Sequence, residues 1–327
     1  MAADTLDTLL LLALPASGKS EVRKYLAQLS PDVCRRDFHL GETVQLDDFP
    51  YVHMMRRIDD ELAAVGMERI FFHSPERPFR DSRDWITLIE LINEDHADLL
   101  ARRRPNPDSA GRWLLERLEE AASRAGVPAR LRKLPADTFR KLFQKLESES
   151  AKLLQDKIAG YPDKLEGKTL VIEFARGGPQ GADFPLPPFF GYRHSLERLS
   201  PAILEKACIL YIWVTPEESR RKNQARANPD DPGSILHHGV PLEVMLKDYG
   251  CDDMDWLEKT AERPGTVTVE AGGRKFHVPL ARFDNRVDKT SFVREHSSKW
   301  KPEDVQKLHQ GLQQALSSLY KKRASSA

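Results

Sequence analysis

Cysteine is scarce in this chain: Cys34, Cys208 and Cys251 are the only three in 327 residues. They lie far apart and show no metal-ligand spacing, which excludes a disulfide framework or a cysteine-built zinc module and fits reduced thiols. No apolar run approaches the ~18 residues needed to span a bilayer. Neither sign of charge prevails, with 50 Lys and Arg against 50 Asp and Glu, so no global field draws nucleic acid or membrane. Internal repeats and low-complexity tracts are absent as well. The charge is nonetheless uneven. Residues 1–100 hold 11 basic and 19 acidic side chains, residues 101–160 hold 14 and 8, and the remainder 25 and 23. The segment from Leu9 to Ala16 follows Asp4 and Asp7 without any Lys or Arg before it. It lacks the positive flank of a secretory leader and reads as the first core strand, so a soluble, cytoplasmic protein is expected.

What is present is a succession of short apolar strands separated by helical patterns, the signature of an α/β domain with a mainly parallel sheet. Five core strands are expected, at Thr8–Ala13, Thr43–Leu46, Thr169–Phe174, Ala207–Val214 and Phe276–Phe283. Thr266–Glu270 and Lys275–Val278, joined through Gly272-Gly273, read as a hairpin leading into the last of them. Between the second and third strands, three stripes recur at helical spacing, beginning at Trp85, Trp113 and Phe139. The expected organisation is a first core part over 1–74, an all-helical insertion over 75–165, a second core part over 166–300, and a closing helix and tail over 301–327.

The most specific string is Ala13-Leu14-Pro15-Ala16-Ser17-Gly18-Lys19-Ser20, which fits the relaxed phosphate-loop pattern. An apolar strand precedes it, and Val22, Tyr25, Leu26 and Leu29 follow at helical spacing. Strand, glycine-containing loop and helix together place backbone N–H groups and a helix N-terminus around an anionic phosphate. In such a loop Ala13 and Pro15 to Ser20 bind the nucleotide, Lys19 adds a point charge near the β/γ-phosphates, and the Ser20 hydroxyl is a Mg²⁺ ligand.

The other candidates sit just past the strands. Asp47 and Asp48 end the second strand beside this loop, where a carboxylate can take a proton from a substrate hydroxyl or hold Mg²⁺ through water; the competing role is to cap the next helix. With Phe49, the segment resembles the uridine kinase, pantothenate kinase and phosphoribulokinase branch of P-loop kinases. That resemblance implies Asp47 as the base, with Asp48 and Tyr51 on the substrate side. Glu173, ending the third strand, suits orientation of Mg²⁺, the competing role being a strand-end ion pair. Glu173 to Arg176 is similar to a segment of nucleoside monophosphate kinases, which implies that Arg176 grips a substrate phosphate. The Arg-rich stretch from Thr215 to Arg226, running into Asn228–Gly233, resembles the lid of P-loop kinases, with Arg221 and Arg226 closing over the triphosphate. Asn285 and Asp288, after the last strand, resemble the base-reading Asn-x-x-Asp of GTPases. His194, His237 and His238 lack a third ligand and read as solvated or structural.

Taken together, the resemblances imply a P-loop NTPase three-layer sandwich acting as an ATP- (or GTP-) and Mg²⁺-dependent phosphotransferase on a small hydroxylated or phosphorylated metabolite, such as a nucleoside, nucleotide or sugar. The alternative is a nucleotide-regulated ATPase or GTPase switch whose insertion recruits a protein partner. A polynucleotide-end kinase using the basic 101–160 block ranks third, because the chain is neutral overall and lacks a clustered aromatic platform.

Overall fold

The chain is described by a computed structural model covering residues 5–226 and 239–324, the side chain of Arg226 excepted. Strands β1 (Thr8–Leu12), β2 (Glu42–Asp47), β3 (Lys168–Phe174), β4 (Ala207–Trp213), β5 (Thr266–Ala271) and β6 (Arg274–Asp284) form one sheet in the order β2-β3-β1-β4-β6-β5. The helices are α1 (Lys19–Leu26), α2 (Pro31–Phe38), α3 (Phe49–Ala64), α4 (Asp84–Leu100), α5 (Ala110–Arg124), α6 (Ala136–Ala159), α7 (Gly191–Arg198), α8 (Pro201–Leu204), α9 (Pro216–Arg226), α10 (Leu242–Lys247), α11 (Met254–Lys259) and α12 (Pro302–Ala324).

Five strands run parallel, and β5 is antiparallel to β6. The expected count of five is therefore corrected to six. The hairpin does not merely lead into the last strand: Arg274–Asp284 is continuous, and its first half carries β5 along the edge. Two glycines at positive φ, Gly272 and Gly273, make the tight connection.

The inner strands β1, β3 and β4 are buried on both faces because they are apolar at alternate and intervening positions alike, whereas edge strand β2 exposes Glu42, Thr43 and Gln45. Leu10, Leu12, Ile172 and Ile209 face α4, α7 and α11, whereas Leu9, Leu11, Val171 and Leu210 face α1, α2 and α12. A third apolar cluster lies among α3, α4, α5, α6 and α10, through Met54, Leu88, Leu118, Leu146 and Met245. Helix α4 serves two clusters: Ile89, Ile92 and Leu99 pack toward the sheet while Trp85, Leu88 and Leu91 pack toward the other helices. The helices of 75–165 are thus joined to the sheet layer through α4. Helices α5 and α6 approach closely at Gly111, where a Cβ would stand 2.2 Å from the Phe143 carbonyl oxygen.

Strand β1 lies in the sheet's interior, and the chain steps from it past β3 to β2 before returning. Such a reversal opens a crevice beyond the carboxyl ends of the strands. No described helix is long and apolar enough to cross a membrane.

Candidate functional site

Beyond Leu12 the chain turns sharply into α1. Ala16 and Gly18 both take positive φ, 56° and 108°. Gly18 is required there, because a side chain would be strained at that φ and its Cβ would meet the Thr290 hydroxyl at 2.5 Å. The loop is tied down from three sides. Ser17 Oγ donates to the Leu14 carbonyl at 2.5 Å, Ser219 Oγ of α9 donates to the Pro15 carbonyl at 2.7 Å, and Asn285 Nδ2 donates to the Ser17 carbonyl at 2.8 Å. Lys19 folds back, its Nζ 3.3 Å from the Ala13 carbonyl, and no side chain caps the start of α1.

Three carboxylates end the strands beside this loop. Asp47 and Glu173 are register partners on β2 and β3. Arg23, one turn along α1 from Lys19, reaches both, at 3.7 Å from Asp47 Oδ2 and 2.9 Å from Glu173 Oε2. Burial, reinforced by Glu173 and Asp48, pushes the Asp47 carboxyl up to about 8, against the pull of the Phe49 N–H and Arg23. Asp48 is also raised by burial, although Arg176 at 2.6 Å and Lys19 pull it down. A folded-state carboxyl above its unfolded value near ~3.9 holds a proton that the unfolded chain has released. Stability of the ligand-free protein should therefore fall as pH rises from about 4 to 8. Denaturant midpoints measured across that range should show the slope, and Asp47→Asn should reduce it; an unchanged slope in the variant would show that Asp47 does not contribute to it.

Loop and carboxylates share one cavity of about 350 Å³. Pro15, Ala16, Ser17, Gly18, Lys19, Ser20, Asp47, Asp48 and Glu173 all line it, while Ala13 lends its carbonyl to Lys19. Apolar and aromatic side chains complete the wall, among them Phe72, Phe79, Trp85 and Tyr249. The turn carrying Phe72 is fixed by buried Asp59, whose carboxylate accepts from the N–H groups of Ile70, Phe71 and Phe72. Phe72 stacks on Phe79 at 4.4 Å, and Trp85 meets Phe79 and Tyr249 edge-on at 4.9 and 5.6 Å.

Other expected residues lie off this wall. Tyr51 was expected on the substrate side; being within α3, it points into the helical layer, where its hydroxyl donates to Asp95 at 2.8 Å beside Arg117. Arg176 was expected to grip a phosphate, but it is 1% exposed. Its guanidinium is engaged by Asp48, Ser195 and the carbonyls of Ala175 and Trp85. Asn285 is buried and spends its amide on Ser17 and Thr290. Asp288 accepts from the Thr290 and Ser291 N–H groups and pairs with Lys222 at 2.9 Å. Against the upward push of burial, Ser291 and Lys222 hold it well below the usual carboxylate range. The expected base-reading pair therefore shapes the loop from behind. Arg221 is exposed and paired with Glu218 at 2.7 Å. Thr215 Oγ1 caps α9 by accepting from the Glu218 N–H. The Arg226 side chain, the Asn228–Gly233 stretch and His237-His238 lie outside the described residues.

Sequence reasoning missed Arg23, Lys222, Arg56 and Asp248. The spacing of Lys19 and Arg23, one helical turn apart and so on one face of α1, was the available signal for the first. Nothing local marks the others, because their partners come from distant elements. No protein-family model matches the chain, and neither a curated protein nor a solved structure matches it.

Proposed function

We propose that this protein is a P-loop phosphotransferase that moves the γ-phosphoryl group of ATP or GTP to the hydroxyl of a small acceptor. The observation that carries the reading is the meeting of the Ala13–Ser20 loop with Asp47, Asp48 and Glu173 on the wall of one cavity. A phosphate-binding loop alone serves hydrolases and switches equally well. A carboxylate held above the usual range beside it supplies what transfer to a hydroxyl also needs, a base poised near neutrality.

The loop amides and Lys19 would hold the triphosphate. Among the described residues no cluster of three or more His, Cys, Asp or Glu forms a metal cage. Mg²⁺ needs none: it is commonly bound through one or two carboxylates together with substrate phosphates and water. Ser20 and Glu173 would hold it here, with Arg23 already balancing part of the charge of Asp47 and Glu173. Bound there, the ion would neutralise charge developing on the phosphate oxygens. Asp47 would accept the hydroxyl proton as the acceptor oxygen bonds to the γ-phosphorus. The β,γ-bridging P–O bond breaks, and the nucleoside diphosphate leaves. Arg221 on α9 would close over the group, since Ser219 anchors that helix on the loop.

The test is γ-labelled ATP and GTP with Mg²⁺ and a panel of hydroxylated metabolites. Label should pass to an acceptor in the native protein. Asp47→Asn should keep nucleotide affinity while turnover falls about a hundredfold. Label released only as inorganic phosphate across the panel would favour the switch reading, and undiminished turnover in the variant would remove Asp47 from the mechanism.

A further inference from the structure

The charged side chains on the cavity wall are nearly all matched. Arg57 pairs with Glu149 at 3.0 Å, Asp60 with Arg69 at 2.7 Å, Asp48 with Arg176 at 2.6 Å and Glu173 with Arg23 at 2.9 Å. Two are not. Arg56 stacks on the Phe72 ring at 4.1 Å and donates to the Pro75 carbonyl at 2.6 Å, and no described carboxylate lies within ion-pair distance of it. Asp248, at the end of α10, is 4% exposed, and its Oδ2 has no hydrogen-bond partner among the described residues. A buried, unpaired carboxylate oxygen is costly, and native structures keep few of them without a use. Burial pushes this carboxyl up to about 7, with Arg56 and Lys247 drawing it down.

The two groups are of opposite sign and line the same cavity as Phe79, Trp85 and Tyr249. A cation offered to Asp248 would face Arg56, and an anion offered to Arg56 would face Asp248. An uncharged edge that presents a donor beside an acceptor satisfies both without that conflict. Edge-on and stacked aromatic walls, for their part, favour a flat ring over a branched or chair-shaped body. We propose that Arg56 and Asp248 select the acceptor, and that it carries a flat lactam ring whose N–H donates to Asp248 and whose C=O accepts from Arg56. Its hydroxyl-bearing arm then extends toward Asp47. This assignment rests on the phosphotransferase reading for its chemistry, but the ring site can be probed by itself.

The probe is 2-pyridone, a lactam with no hydroxyl arm, compared by calorimetry with N-methyl-2-pyridone, which lacks the N–H. The native protein should bind the first at least about tenfold more tightly, as expected for a hydrogen bond to a charged partner. Asp248→Ala and Arg56→Met should each weaken 2-pyridone about tenfold, with unfolding midpoints reporting that the variants are folded. Equal affinity for the two probes, or unaltered affinity in either folded variant, overturns the proposal. So does binding of β-alanine in place of 2-pyridone, since that would mark a site for an ammonium–carboxylate zwitterion. The probe comparison uses the native protein and stands even if a variant does not fold. Titration of the native protein with Mg·ATP keeps the two readings apart: no binding there defeats the phosphotransferase reading and leaves the lactam result as measured.

Discussion

Lys19→Met should lower the proposed phosphoryl transfer by about a thousandfold while leaving the fold intact. A single preorganised donor aimed at developing charge is worth about two to three powers of ten in turnover, and a full positive charge at the terminal phosphates belongs at the upper end of that range. Methionine keeps the buried alkyl volume, so the loop should retain its shape. That shape does not depend on the ammonium, since Ser17, Ser219 and Asn285 each tie the loop by separate hydrogen bonds. The measurement is single-turnover transfer of labelled phosphate alongside a thermal unfolding curve. A near-native rate in a folded Lys19→Met protein would show that the ammonium does not act on the triphosphate. The loop would then be only a sharp turn joining β1 to α1.

Arg176→Met should destabilise the protein by about 3–5 kcal/mol, the usual consequence of removing one member of a buried ion pair. The substitution strands the Asp48 carboxylate and leaves the Ser195 hydroxyl and the Trp85 carbonyl without the guanidinium. Asp48 has one escape. Burial already raises its pKa, so without Arg176 it would take up a proton more readily. The loss should accordingly shrink as pH falls and the carboxyl becomes neutral. Pairing Arg176→Met with Asp48→Leu should recover part of the loss, because no charge is then left buried alone. Urea midpoints of the four proteins form the cycle. A loss for Arg176→Met within ~0.5 kcal/mol of zero would show that the pair contributes nothing to the fold.

These expectations also mark how far the sequence could be read. Leu9 to Ser20 was legible because strand, loop and helix are consecutive, and the loop's backbone geometry is written into Gly18. Asp47 and Glu173 were legible for a related reason: a carboxylate that ends an apolar strand must emerge at the sheet's edge. What could not be read was which side chains meet once strands pair and helices pack. Asp48 and Arg176 are 128 residues apart, and their ion pair turned an expected phosphate ligand into a buried structural tie. Tyr51 follows the strand closely, yet α3 directs its hydroxyl to Asp95 on α4. The Asn285 and Asp288 spacing has a local alternative use, turning the chain after β6 and bracing the loop. The strand count differs at one point: Thr266–Glu270 and Lys275–Val278 read as a hairpin leading into the last strand, whereas β5 is a sixth strand paired along the first half of one continuous β6.

The interior position of β1 also governs how the molecule is made. This strand is synthesised well before both of its sheet partners: Leu9 pairs with Val171 on one side and Cys208 on the other. At about 5–20 residues per second, roughly 10–30 s pass before its nearer neighbour has even been synthesised. Throughout that interval Leu9-Leu10-Leu11-Leu12 is an unsheltered hydrocarbon segment, the kind of surface through which incomplete chains aggregate.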